Sequence, residues 1–202
     1  MGKMNLLKAN WEGKVGETVG AKWKNKKTIR TYTKPSNPNT QAQRTVRSAF
    51  KELTSFVALF ADQIKYLTAL DTAGMSVRNA IIKLNKAMIE SGTVALENVL
   101  ISKGGLQKPA GFGMDVDGAT GVVTLTWNQP TATNFTEDAK AVLVVVDTTE
   151  DIAEVIVANA TAGTAISTLA FSDAHDIYSY AYFLDKRGNA KVASASVNQN
   201  NI

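Results

Sequence analysis

The spacing of apolar residues changes twice along the chain, and the changes mark three stretches. Between Gly13 and Lys34, Val, Trp, Thr, Ile and Tyr residues flank the polar run Asn25-Lys26-Lys27, with glycines at 13, 16 and 20. Two β-prone runs around a short polar loop predict a β-hairpin. After Val19 its only bulky apolar groups are Trp23, Ile29 and Tyr32. A hairpin so poor in apolar surface has no core of its own, and must lie on its own helices or pair with another chain.

Pro35-Ser36-Asn37-Pro38 holds the backbone extended, and Asn39 or Thr40 is placed to cap a helix. Apolar residues then recur at Val46, Phe50, Leu53, Val57, Phe60, Ile64 and Leu67, a period of 3.5 sustained over about three heptads. The stripe predicts a long helix packed against another helix. Residues 76–90 supply a partner, with Val77, Ile81, Leu84 and Met88 on one face and Gly92 as its stop. A helical hairpin turning at 71–74 is one reading; self-association of the first helix is the other.

After Gly104-Gly105 the period becomes two. Strands are predicted over 112–116, 122–127, 141–147, 153–158, 165–171, 177–184 and 190–197, with turns at Asp117-Gly118, Asn128-Gln129-Pro130, 159–163 and Arg187-Gly188-Asn189. Seven short strands at this spacing predict an immunoglobulin-like or fibronectin type III-like sandwich. The run Gly121-Val122-Val123-Thr124-Leu125-Thr126-Trp127 resembles the second strand of fibronectin type III domains, whose Trp lies in the core. Tyr178, Tyr180 and Tyr182 share one face of their strand and Ile177, Ala181 and Phe183 the other. In a sandwich one of those faces is buried, so the tyrosines read as core, or core with a tyrosine corner. The fold class is therefore α+β: a basic hairpin arm over 1–39, a helical region over 40–103, and a sandwich over 104–202 expected to fold by itself.

Composition adds exclusions. Hydrophobic residues make up 45% and charged residues 20% of the 202 positions, which belongs to a chain that folds. No run of about 18 apolar residues occurs, and the start lacks the apolar stretch of a signal peptide, so neither a membrane partner nor secretion is expected. Zero cysteines remove disulfides, thiolate nucleophiles and Cys-ligated metals, and a single His makes any Ser-His-Asp triad depend on His175. Ser172, Asp173, His175 and Asp176 are neighbours on one loop, whereas triads assemble from separate elements. Asp115-Val116-Asp117-Gly118 alternates oxygens like a calcium loop but lacks the later carboxylates, and reads as a tight turn. Phosphate-binding loops, dinucleotide fingerprints and zinc-protease motifs are missing. No enzyme, cofactor, metal site or small-molecule substrate is expected.

The net charge of +4 conceals a gradient: residues 1–51 hold 12 basic against 2 acidic side chains, 52–103 hold 5 against 5, and 104–202 hold 5 against 11. Lys22, Lys24, Lys26, Lys27 and Arg30 surround Trp23, Tyr32 follows, and Arg44 and Arg47 stand one turn apart at the start of the long helix. Such a set suits phosphates with aromatic stacking, or an acidic protein surface. No base-reading motif accompanies it, and the acidic partner is present on the same chain, so contact between copies is the favoured reading, with nucleic acid second.

Gly13-Lys14-Val15-Gly16, Val19-Gly20, Trp23-Lys24, Ile29-Arg30, Pro35, Asn37-Pro38-Asn39-Thr40, Gln43-Arg44 and Phe50 resemble the N-terminal signature of a family of small uncharacterised proteins of bacterial genomes and tailed phages. The resemblance is strongest over residues 1–60 and brings no activity with it. It implies a phage or prophage product built into a particle. The expectation is thus a non-enzymatic virion structural protein, capsid-associated, decorating, or part of head or tail. It would be made in the bacterial host cytoplasm and would assemble with itself and with other virion proteins. A nucleic-acid-binding protein is the alternative, as is a cell-surface filament or adhesin subunit.

Overall fold

The computed structural model describes residues 13–23, 26–34, 36, 38–131, 135–187 and 190–201. They belong to two compact units, Met1–Asn39 and Thr40–Ile202. In the first, β1 (Gly13–Val15), β2 (Thr18–Trp23) and β3 (Lys26–Thr31) form an antiparallel meander, one strand more than the predicted hairpin. Gly16, at φ 59°, makes the β1–β2 turn in the left-handed region that glycine tolerates.

The second unit opens with α1 (Gln41–Ala58). Thr40 caps it: its Oγ1 accepts the Gln43 amide at 3.3 Å while Gln43 Oε1 accepts the Thr40 amide at 3.2 Å. The predicted stripe runs on to Leu67, but α1 ends at Ala58, and residues 59–66 continue as irregular turns. Tertiary bonds draw this stretch onto the sheet: Gln63 Nε2 donates to Ala153 O at 3.1 Å and Tyr182 Oη to Leu67 O at 2.8 Å. The second predicted helix is also broken, into α2 (Val77–Leu84) and α3 (Lys86–Ser91). Asn85 breaks it, because its buried amide pairs with the Leu100 backbone in both directions at 2.8 Å and so competes with the helical ladder. Gly92 ends α3 at φ 78°, and a Cβ there would stand 2.3 Å from Thr45 Cγ2 of α1.

The seven predicted strands become eight: β4 (Ala110–Val116), β5 (Val122–Asn128), β6 (Lys140–Asp147), β7 (Ile152–Asn159), β8 (Thr164–Ala170), β9 (Ile177–Arg187), β10 (Ala190–Ala193) and β11 (Val197–Asn200). The last predicted strand splits because Ser194 bonds both polar backbone groups of Phe183, and the register with β9 slips by one residue between Ala193↔Leu184 and Val197↔Ala181. Two antiparallel sheets result, one in the order β4-β5-β8 and one in the order β10-β9-β6-β7 with β11 also on β9. Phe112, Val123, Leu125 and Trp127 of the first sheet meet Leu143, Val145, Ala181 and Phe183 of the second. Trp127 is buried and donates Nε1–H to Ala160 O at 2.8 Å. At the open side, Glu154 of β7 reaches the edge of β8 and accepts the Thr168 and Leu169 amides at 2.8 and 3.0 Å, and the Thr168 hydroxyl as well.

The second sheet is covered on its other face too. Val142, Val144 and Val146 of β6 and Tyr178, Tyr180 and Tyr182 of β9 pack against Leu53, Phe56, Val57, Phe60, Ile64 and Ile81 of the helical layer. The tyrosines are therefore core, as predicted, on the helical side of the sheet. This corrects the expected boundary at Gly104-Gly105: residues 40–103 and 104–202 share one core. Gly104 is no hinge, since a Cβ on it would fall 1.8 Å from the Ala193 carbonyl oxygen. Of the helix-packing residues, Leu53, Val57, Phe60 and Ile64 are buried and Leu67 is half-buried, against the sheet as well as against helices. Val46 and Phe50 stand outside that core and are 39% and 49% exposed.

Residues 40–202 should melt as one cooperative unit, whereas 104–202 expressed alone should bind a hydrophobic dye and lack a cooperative transition, because its tyrosine face would be bare. Phe60→Ala and Trp127→Ala should each cost about 3–5 kcal/mol in denaturant titrations of the full chain. A near-zero cost for Phe60→Ala would contradict the shared core.

Candidate functional site

The basic arm is a narrow sheet with cations on both faces. Register pairs place Lys22 opposite Lys27, with Ile29 and Val15 on that face, and Arg30 opposite Val19 and Lys14 on the other. Lys14 Nζ lies 3.7 Å from the centroid of the Tyr32 ring, and Tyr32, Lys22, Lys27 and Arg30 are exposed. Like charges directly opposite one another cost roughly 0.2–1 kcal/mol in an isolated sheet, so the Lys22–Lys27 pair suits an external anionic group. Trp23 and Lys26 pair at the strand ends, but their side chains, and the whole of Lys24, lie outside the described residues. Among the described cations, Lys22 and Lys27 share one face and Lys14 and Arg30 the other, as strand alternation imposes; the expected cationic surround of Trp23 lies outside the described residues.

Arg44 and Arg47 belong to the second unit. Both are exposed on the first half of α1, with Arg44 Nη2 donating to Gln41 Oε1 at 2.7 Å, and Lys51 follows one turn later. The exposed Val46 and Phe50 lie between them in sequence, four residues apart and hence on one side of the helix.

The acidic excess collects at one end of the sandwich. The β4–β5, β6–β7 and β8–β9 loops converge there: Asp147 pairs with Ile177 in register, the Phe171 amide donates to Gly121 O at 2.7 Å, and Asp173 abuts Gly118. Asp115, Asp117, Glu150, Asp151, Asp173 and Asp176 are exposed, and these loops contain no Lys or Arg. Asp117 forms the predicted tight turn, accepting the Ala119 amide at 2.9 Å and the Thr120 hydroxyl at 2.5 Å; the Thr120 bond foremost holds its carboxyl below the ordinary value. Among the described residues no group of three or more acidic or His side chains is arranged to hold a metal.

His175 has a partner that sequence proximity did not reveal. Its Nδ1 lies 2.8 Å from Oδ2 of Asp147, at the end of β6, whose side chain is 1% exposed and whose Oδ1 accepts the Thr149 and Glu150 amides at 2.8 and 3.1 Å. Ser172 Oγ instead meets the Ala174 amide at 3.4 Å. The pair fastens the β8–β9 loop to the β6–β7 turn, and Asn201 adds a bond to His175 O at 2.9 Å. A groove of about 440 Å³ lined by Asp62, Lys65, Tyr66 and Arg78 lies elsewhere, and Arg78 there donates to Thr54 O at 2.9 Å.

The hydrogen bond to Asp147 raises the pKa of His175 above the ordinary 6.5, and outweighs its partial desolvation. Burial pushes Asp147 up, but the bonds from His175 and the two amides more than offset it and hold the carboxyl below 3.8. The imidazolium's contribution is complete below pH 6.5 and is lost as pH rises through its raised folded value; that of the carboxylate is complete above 3.8 and is lost on acidification. Thermal stability should accordingly be highest between these limits and fall between mildly acidic and mildly alkaline pH. His175→Asn should flatten the alkaline fall, as thermal melts across a pH series would show.

Within the described residues no helix is long and apolar enough to cross a membrane. No curated protein matches the chain. A model described as a family of unknown function (DUF6266) matches residues 9–197, spanning arm, helices and both sheets. The chain therefore belongs to the DUF6266 family.

Proposed function

We propose that this chain is a non-enzymatic structural component of a phage particle, capsid-associated or part of the head or tail, made in the bacterial host cytoplasm and held in place by its basic arm. The observation that carries the reading is the arm itself. It is a three-stranded sheet with Lys14, Val15, Lys22, Lys27, Arg30 and Tyr32 all exposed and Val15 60% so. A sheet of that size is marginal without a surface to lie on. Cations on both faces suit insertion between protein surfaces, since contact with one phosphate backbone would call for a one-sided stripe. The second unit is the folded body that such an arm would tether. The strand orders β4-β5-β8 and β10-β9-β6-β7, with Trp127 between the sheets, support a fibronectin type III-like arrangement for its sandwich.

Replacing Lys22, Lys24, Lys26, Lys27 and Arg30 by Gln should abolish incorporation into particles while leaving the melt of the second unit unchanged. Binding of the wild type to duplex DNA should be weak and without sequence preference. Tight, steeply salt-dependent DNA binding by the wild type, with normal incorporation of the Gln variant, would select the nucleic-acid reading instead.

A further inference from the structure

Among the described residues of the second unit, the first half of α1 leaves part of its apolar stripe exposed beside a row of basic side chains. The stripe buried at Leu53, Val57 and Phe60 continues outward to Val46 and Phe50, which stay 39% and 49% exposed. Arg44, Arg47 and Lys51, spaced three and four residues apart, run along the same half-helix and are all exposed. Thr45 on another side of the helix is pressed against Gly92, so α3 fixes this half in place and the stripe remains open. By helical periodicity the three cations lie to one side of Val46 and Phe50, so the surface asks for a partner with an apolar strip bordered on that side by carboxylates.

The same unit carries such a surface at the loop end of its sandwich. Glu150, Asp151, Asp173 and Asp176 are exposed there, and next to them Ile152 and Leu169 are 36% and 43% exposed at the start of β7 and the end of β8. We infer that the open half of α1 docks on this acidic end of a second copy, with Val46 and Phe50 against Ile152 and Leu169 and the three cations facing the carboxylates. Pairing of two α1 helices is the less favourable use of the stripe, because it would bring Arg44, Arg47 and Lys51 of both copies together. The inference rests on the assembly reading given above and names one contact between copies that such an assembly would use.

Sedimentation velocity of the full chain at micromolar concentration tests it. The wild type should associate; Arg44→Glu with Arg47→Glu should weaken association at least about tenfold, as should Glu150→Lys with Asp176→Lys, and all four changes together should restore most of it. Phe50→Ser, at an exposed position, should weaken association with the melt unchanged, and serves if a charge-reversed variant fails to fold. A monomeric wild type, association indifferent to both reversals, or no recovery in the folded fourfold variant would overturn the inference. A wild type that enters particles yet is monomeric in solution refutes this contact and leaves the virion reading intact. One that associates as described but never enters particles refutes the virion reading alone.

Discussion

The second unit depends on a sheet whose central strands are wet on neither face. β6 and β9 are its centre: alternate residues of β6, Val142, Val144 and Val146 against Leu143 and Val145, enter two different cores, as do the tyrosines and phenylalanine of β9. A strand buried on both sides cannot be stabilised by half of its surroundings, so the helical layer and the β4-β5-β8 sheet are each needed for the other to matter. This accounts for the continuous apolar run of residues 141–146, which a sandwich strand open to solvent on one side would not need.

Burying tyrosines rather than leucines at that interface imposes a second requirement, because each hydroxyl needs an acceptor. Tyr180 donates to the Leu96 carbonyl at 2.5 Å, at the start of the short 3-10 helix Leu96–Asn98, and Tyr182 to that of Leu67 at 2.8 Å, in the irregular stretch after α1. Burial pushes both phenols up, out of the range in which they titrate under ordinary conditions, so they act as fixed donors. Both acceptors lie outside the α-helices, where a carbonyl is within reach of a hydroxyl of the sheet. Asn85 and Ser194 repeat the principle with their own side chains.

Much of this layout was legible in the sequence. Period-two alternation located β4 to β10, though not β11 beyond Val197, and the capping residues marked the start of α1, because both signals arise from local geometry. What stayed hidden depended on distant partners. The heptad stripe could not tell that Leu53 onward meets a sheet while Val46 and Phe50 meet none. Gly104-Gly105 reads as a linker until the Ala193 carbonyl is placed against it. In the candidate site, counting charge gave the basic arm and the acidic surplus, but not the splitting of the lysines over two faces. Nor did it gather carboxylates from three loops at one end, or reveal the Asp147 partner of His175, 28 residues away. These follow from register and strand order, which composition does not encode.

Glu154 has a consequence for how copies of this protein meet. An open sheet edge offers unpaired amides that recruit any passing strand, and growth by that route has no natural end. By turning its carboxylate onto the Thr168 and Leu169 amides, Glu154 occupies part of the β8 edge with a side chain of its own molecule. The body is thereby protected along that margin against indiscriminate cross-β stacking, and recognition there is left to side-chain chemistry, which can be both selective and finite.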